Sequence, residues 1–204
     1  MSAGVLVLHA WWGLNDDVRT YAERLRREGY QVATPDLYHG RVATTIDEAK
    51  ALGDALDQNW KAALSEIEEA LSKLTVQADR IALLAWSMGV WYGWQLAQGQ
   101  PDRIRALVTY YGLGEVEAGK TLPPILAHFA EDDEFQPLAD VRSTEQKLVE
   151  SGGAAQFHIY TGTKHWFDEP SRPEFDKAAS ALAWQRTLAF LDTHLRHGNG
   201  PTPR

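Results

Sequence analysis

The chain has 204 residues, of which 44% are hydrophobic, and carries a formal net charge of −8 with an isoelectric point near 5.3. This size and apolar content suit one domain with a full core, while the acidic balance argues against nucleic acid and anionic membranes as partners. The absence of cysteine excludes disulfides, thiolate metal sites and a cysteine nucleophile.

Other absences narrow the class of protein further. The histidines are scattered, without the paired spacing of a metal site, so we expect no metal and no cofactor. No stretch approaches the roughly 18 apolar residues of a membrane span. The N-terminus lacks a basic region followed by a long apolar run, so we expect no signal peptide and a cytoplasmic location.

Predicted strands and helices alternate along the chain. The strands are predicted at residues 5–9, 31–34, 81–86, 104–109, 124–130 and 155–160. Asn15 is a candidate cap for the first helix, and Thr45 with Glu48 resembles a capping box for a second, short helix. Apolar residues at helical spacing predict further helices over 60–74, 91–97, 138–148 and 184–195. The alternation predicts a parallel sheet covered on both faces.

Ser87 lies where the third predicted strand meets a helix, in the pentapeptide Ala-Trp-Ser-Met-Gly at residues 85–89. Such a sharp turn strains the serine backbone and lifts its hydroxyl above the sheet edge, which is the context of a nucleophile. The pentapeptide alone is weak evidence, because Ser-x-Gly is common and Ala85 replaces the usual glycine. A plain turn serine is the alternative.

Two later segments place an acid and a histidine beside the same edge. Residues 126–137 are an apolar run that ends in acidic residues, and residues 157–167 are an alternating strand followed by a loop with His165. Each candidate follows the carboxyl end of a predicted strand, where ligands bind in open α/β sheets. The order Ser, Asp, His along the chain is that of α/β-hydrolases.

Further segments resemble the dienelactone hydrolase family of α/β-hydrolases. The most specific is Trp-Trp-Gly-Leu-Asn at residues 11–15, joined by Pro-Asp-Leu-Tyr at 35–38 and the helix at 183–191. The resemblance implies an α/β-hydrolase fold, doubly wound, with about six parallel strands in the order 2-1-3-4-5-6. The chain leaves no room for a large cap, and residues 39–59 are the candidate cover. We expect one domain over residues 1–197 and a disordered tail over 198–204.

The same resemblance implies a role for each matching residue. Ser87 is the nucleophile, His165 the general base, and Asp133 the acid that orients it. The backbone N–H groups of Trp11 and Met88 form the oxyanion hole. A serine needs the histidine to take its proton, and the carboxylate holds the imidazole tautomer.

The departures from the family affect the expected substrate. Typical members have a cysteine in place of Ser87 and a glutamate in place of Ala10. The glutamate helps to control the protonation of the cysteine thiol, so a chain with a serine nucleophile does not need it. Two arginines that grip the substrate carboxylate are also absent. One is replaced by Glu169, an acidic residue that we expect to repel a carboxylate substrate, and the other lies in a loop that is shortened after Gly40. We therefore expect small neutral esters.

Several assignments have alternatives. Asp132 competes with Asp133 for the acid, and the spacing Ala-x-x-Asp-x-x-x-Pro favours Asp133. The alternative interpretation of His165 is that it is a surface histidine without a catalytic role. His9 and His39 lie near the same edge but are interpreted as supporting or loop residues, and Arg41 as a solvated loop residue.

Tryptophans flank the predicted site. Trp12, Trp86 and Trp166 are the candidates for the substrate pocket, with core packing as the alternative and most favoured at Trp12. We hypothesise that Trp86 and Trp166 wall an apolar acyl or alcohol pocket.

The predicted function is a serine carboxylic-ester hydrolase that acts on small molecules through an acyl-enzyme. One alternative is a lactone hydrolase of the dienelactone type, and thioester cleavage and perhydrolysis suit the same triad. An alternative from another class is a catalytically silent binding domain on the same scaffold. The sequence does not indicate the acyl length or the oligomeric state.

Overall fold

The computed structural model describes residues 2–117 and 120–196, so the predicted tail at 198–204 lies outside the described residues. The strands are β1 Ala3–Leu8, β2 Gln31–Ala33, β3 Arg80–Trp86, β4 Ile104–Tyr110, β5 Ile125–Asp132 and β6 Ala155–Lys164. The helices are α1 Asp16–Arg27, α2 Ile46–Gln58, α3 Trp60–Thr75, α4 Met88–Gly99, α5 Leu138–Glu150 and α6 Lys177–Leu191, followed by a π-helical segment Asp192–Arg196.

The strands form one parallel sheet in the order β2-β1-β3-β4-β5-β6, which confirms the predicted doubly wound fold. β1 pairs with both β2 and β3, so the order in which strands are added to the sheet reverses at β1. Open α/β sheets bind ligands outside the carboxyl ends of the strands at such a switch point.

Alternate residues of each strand enter two separate cores. In β1, Val5 belongs to the core shared with α1 and α6, while Leu6 belongs to the core shared with α3, α4 and α5. Successive strand side chains point to opposite faces, so the sheet needs helices on both sides. This explains the nearly continuous apolar runs in the sequence.

The helix starts follow the predicted caps. Asn15 Oδ1 accepts a hydrogen bond from the Val18 amide at the start of α1, and Thr45 and Glu48 form a reciprocal capping box at the start of α2. α2 is longer than the short helix predicted here, and Asn59 alone separates it from α3. None of the described helices is both long enough and apolar enough to cross a membrane.

β5 and β6 run further than the sequence predicts. Their pairing continues past an irregularity in register to Asp132 and Lys164. This extension carries Asp133 and His165 to the same end of the sheet, each one residue beyond its strand.

Candidate active site

The backbone of Ser87 is strained. It joins β3 to α4 with φ 48° and ψ −117°, a positive-φ conformation that non-glycine residues rarely adopt. Its amide donates a hydrogen bond to the Tyr110 carbonyl at 2.9 Å, which fixes the turn to the end of β4. A β-carbon at Gly112 would lie 2.8 Å from the Ser87 carbonyl oxygen, so this neighbour has to be glycine for the turn to fit.

Ser87, His165 and Asp133 form a continuous hydrogen-bonded chain. His165 Nε2 lies 3.0 Å from Ser87 Oγ, and His165 Nδ1 lies 2.9 and 2.8 Å from the two carboxylate oxygens of Asp133. A carboxylate only accepts, so Nδ1 carries the proton and Nε2 is free to accept the serine proton. The arrangement is that of a nucleophile, a base and an orienting acid.

The carboxylate next to His165 belongs to Asp133 and not to Asp132. The Asp133 side chain is buried, and its Oδ1 accepts hydrogen bonds from the amides of Phe135 and Gln136, both at 2.9 Å. Asp132 is 77% exposed and lies 4.0 Å from the Lys164 ammonium. The structure therefore brings Asp133 to the histidine and turns Asp132 to solvent.

Trp11 and Met88, the two residues expected to supply oxyanion-hole amides, line the same cavity as Ser87. Met88 is the first residue of α4, and the first N–H groups of a helix have no partner within the helix. Trp11 lies in the loop after β1, and its amide donates to no acceptor among the described residues. Amides at a helix N-terminus suit developing negative charge.

A cavity of about 460 Å³ opens over the serine. Its wall is mostly aromatic, and the lining residues are Trp11, Asp57, Trp60, Ser87, Met88, Trp91, Tyr92, Phe135, His165 and Trp166. Trp166 is thus in the wall, as expected from the sequence. The sequence did not point to Trp60, Trp91, Tyr92 or Phe135 as wall residues, because the first three fall at helical positions that resemble core.

Trp86 and Trp12 do not line this cavity, contrary to the sequence-based hypothesis. Trp86 is buried against Tyr110, with ring centroids 5.4 Å apart, on the face covered by α1 and α6. Trp12 is also buried and stacks under the Arg172 guanidinium at 3.8 Å. Trp86 precedes the serine on the strand, and alternation directs its side chain to the sheet face rather than to the edge.

A pair of buried acids lies behind the histidine. Tyr111 donates a hydrogen bond from its hydroxyl to Glu169 at 2.7 Å, and its ring centroid is 4.7 Å from that of His165. Burial raises the pKa of Glu169 to about 8 and that of Asp168 to about 7. Asp168 accepts hydrogen bonds from Trp86 and from Ser180.

Glu169 is only 3% exposed and does not line the cavity. The expectation that its charge repels a substrate carboxylate is therefore wrong, because the side chain is buried outside the cavity lining and burial raises its pKa. The absence of lysine and arginine from the described lining remains the relevant difference.

The remaining polar candidates support loops. His9 is buried, which lowers its pKa, and its Nε2 accepts a hydrogen bond from the Leu37 amide at 3.2 Å. Arg41 donates from Nε to the Tyr38 carbonyl, and the exposed His39 lies 3.6 Å from Glu66. None of the three lines the cavity. Within residues 2–117 and 120–196, no cluster of three or more potential ligands could hold a metal.

Comparisons with known proteins agree with this fold. The model of the dienelactone hydrolase family matches residues 1–195. The usf protein of Aquifex pyrophilus is 28% identical over 94% of this chain and 88% of its own length. A carboxymethylenebutenolidase of Rhodococcus opacus is 24% identical over 96% of this chain and 82% of its own. The crystal structure of P91, a dienelactone hydrolase-like promiscuous phosphotriesterase from metagenomic libraries, superposes with a TM-score of 0.80 at 20% identity, covering 95% and 87% of the two chains.

Proposed function

The chain belongs to the dienelactone hydrolase family and is a hydrolase of ester or lactone bonds, and on that premise we propose that it is a serine hydrolase acting through an acyl-enzyme. Its substrates are small carboxylic esters without a carboxylate of their own. The observation that supports the proposal is the chain of hydrogen bonds from Ser87 through His165 to Asp133.

In the proposed reaction, His165 Nε2 takes the hydroxyl proton while Ser87 Oγ attacks the ester carbonyl. The amides of Trp11 and Met88 donate hydrogen bonds to the oxyanion, and one such donor is typically worth about 3–4 kcal/mol of barrier. The imidazolium, stabilised by Asp133, returns the proton to the departing alcohol. Water then attacks the acyl-enzyme by the same route and releases the acid and the serine.

The test is hydrolysis of 4-nitrophenyl acetate, butyrate and octanoate between pH 5 and 9 by the wild type and by Ser87→Ala. We expect turnover by the wild type, its loss in the variant, and a fall in acid, where a protonated imidazole accepts no proton. Circular dichroism establishes that the variant is folded. Equal turnover by both proteins would contradict the proposal.

A lactone hydrolase is the second candidate, supported by the family and by relatives named carboxymethylenebutenolidase. The cavity lining argues against lactones that carry a carboxylate, because it includes neither lysine nor arginine. Enol-lactones and aryl esters assayed in parallel separate the two. A folded wild type inert towards every ester and lactone would indicate a silent binding domain.

A further inference from the structure

Asp57 is the only aspartate or glutamate among the described residues that line the cavity. Its position follows from the packing of α2. A β-carbon at Gly53 would lie 2.7 Å from Trp11 Nε1, so α2 passes directly over the loop that follows β1. Asp57 comes four residues after Gly53, on the same face of the helix. The carboxylate therefore faces the aromatic wall above the serine.

The carboxylate of Asp57 has no hydrogen bond and no ion pair with any other described residue. Its partial burial and the nearby charge of Asp54 raise the pKa of its carboxyl group. The hydroxyl of Tyr92 is buried in the same wall and also lacks a partner within the described residues. Burial, with the charge of Asp57 as a smaller cause, raises the pKa of this hydroxyl to about 12. An acceptor and an unsatisfied hydroxyl thus lie together in the cavity without a counterpart among the described residues.

Aromatic faces surround this acceptor. Trp60 and Trp91 are 41% and 39% exposed, with ring centroids 5.8 Å apart at nearly right angles. On the other side Phe135, 44% exposed, lies 4.9 Å from the ring of His165. Exposed aromatic faces beside an unpaired carboxylate attract an organic cation, since the ring quadrupole and the negative charge act together.

We propose that this cavity selects esters whose non-reacting part carries a positively charged ammonium group, held by the Trp60 and Trp91 rings and by Asp57. This rests on the proposed esterase function and names its substrate class. Neutral apolar esters, for which the same wall would be a plain hydrophobic pocket, are the alternative. Cationic and neutral esters can have the same shape and differ only in charge. A pair of substrates that are equal in shape therefore decides between the two proposals.

The experiment compares acetylcholine with 3,3-dimethylbutyl acetate, in which carbon replaces the nitrogen and the charge is lost. For the wild type we expect kcat/KM to be about tenfold higher for acetylcholine, the size of one cation–π contact joined to a charge pair. Asp57→Asn should lower this ratio about fivefold, since the carboxylate acts only on the charged substrate.

Asp54→Asn is the matched control. It removes the same charge one turn earlier on α2, where Asp54 pairs with Lys50 at 2.8 Å and does not line the cavity. We expect its ratio to stay within about twofold of the wild type. Lys61→Gln should raise the ratio, because the Lys61 ammonium lies 5.4 Å from the Trp60 ring and competes with the substrate cation. Equal effects of Asp57→Asn and Asp54→Asn would overturn the proposed contact.

Binding without turnover separates this inference from the esterase proposal. Choline and 3,3-dimethylbutan-1-ol have the same shape, and either can be titrated against tryptophan fluorescence. Tighter binding of choline, weakened in Asp57→Asn, supports the cation site even in a protein that hydrolyses no ester. Equal values of kcat/KM for the two acetates, together with equal binding of the two alcohols, would overturn the inference and leave the esterase proposal intact.

Discussion

Gly89 passes so close to His9 that a β-carbon on the glycine would lie 2.6 Å from the His9 carbonyl oxygen. The first turn of α4 and the end of β1 are therefore in backbone contact. This contact holds the serine turn against the start of the loop that contains Trp11, across the switch point of the sheet.

Gly89→Ala should reduce the free energy of unfolding by about 1–3 kcal/mol, because the neighbouring atoms are backbone and cannot rotate away. Urea denaturation measures the change. Gly99→Ala, at the last residue of α4, is the control, because a β-carbon added there would have open space around it. It should change stability by less than about 1 kcal/mol. Equal losses would show that the contact yields without strain.

Ser87→Gly should be more stable than Ser87→Ala by about 1 kcal/mol, because glycine adopts the positive φ without steric conflict. Both variants lack the hydroxyl and should be inactive, so the difference isolates the backbone strain. Thermal unfolding of the two proteins measures it. An alanine variant as stable as the glycine variant would show that the turn stores no such strain.

Asp133→Asn should lower kcat by about 10⁴ with little change in KM, because the amide no longer holds the imidazole tautomer. Asp132→Asn is the neighbouring control, and its exposed side chain predicts a change of less than about twofold. Steady-state kinetics with 4-nitrophenyl acetate distinguish the two. Similar losses in both variants would exclude Asp133 as the orienting acid.

Stability should fall as pH rises from about 4 to about 8. Folding raises the pKa of Glu169 from 4.5 to about 8 and that of Asp168 from 3.8 to about 7, so the native state holds protons that the unfolded chain has lost. This contribution is fully present below the unfolded pKa values and is lost as pH passes the folded ones.

Glu169→Gln keeps an acceptor for Tyr111 and removes the ionisation, so its thermal midpoint should exceed that of the wild type by several degrees at pH 8 and match it near pH 4. Glu117→Gln, at an exposed position, is the control and should follow the wild type. Parallel curves for wild type and Glu169→Gln would contradict the assigned shift.

Trp166→Ala should change the preference between octanoate and acetate esters about fivefold, because it removes part of the cavity wall. Trp86→Phe is the control. It should lower stability through lost packing and the lost hydrogen bond to Asp168, while the chain-length profile stays constant. An unchanged profile in Trp166→Ala would remove this residue from the substrate pocket.

Local sequence signals predicted much of the fold and of the proposed triad. The apolar run before Ser87 and the helix after it define the turn, and caps such as Asn15 act within one helical turn. Asp133 and His165 could be predicted to lie close together because the carboxyl ends of parallel strands share one edge. Each of these inferences needs only neighbouring residues or the order of strands.

The cavity wall was less predictable, because it depends on contacts between distant elements. Trp60 and Trp91 belong to different helices, and helical spacing does not distinguish a core position from one at a cavity. Trp86 was assigned wrongly from its nearness to the serine along the chain, although adjacent strand residues face opposite ways. Glu169 shows the same limitation, since distance from a histidine in sequence does not give side-chain direction.

The wall of the cavity also contains the only sulfur atom of the described residues, since the chain has no cysteine and its other methionine is Met1. Met88 Sδ accepts a hydrogen bond from the Tyr38 hydroxyl at 3.4 Å. Thiol reagents therefore have no target in this protein, whereas peroxide can oxidise Met88 at the cavity. Oxidation of Met88 would add a polar oxygen beside the serine, so among the described residues the one thioether that peroxide can oxidise lies at the proposed site.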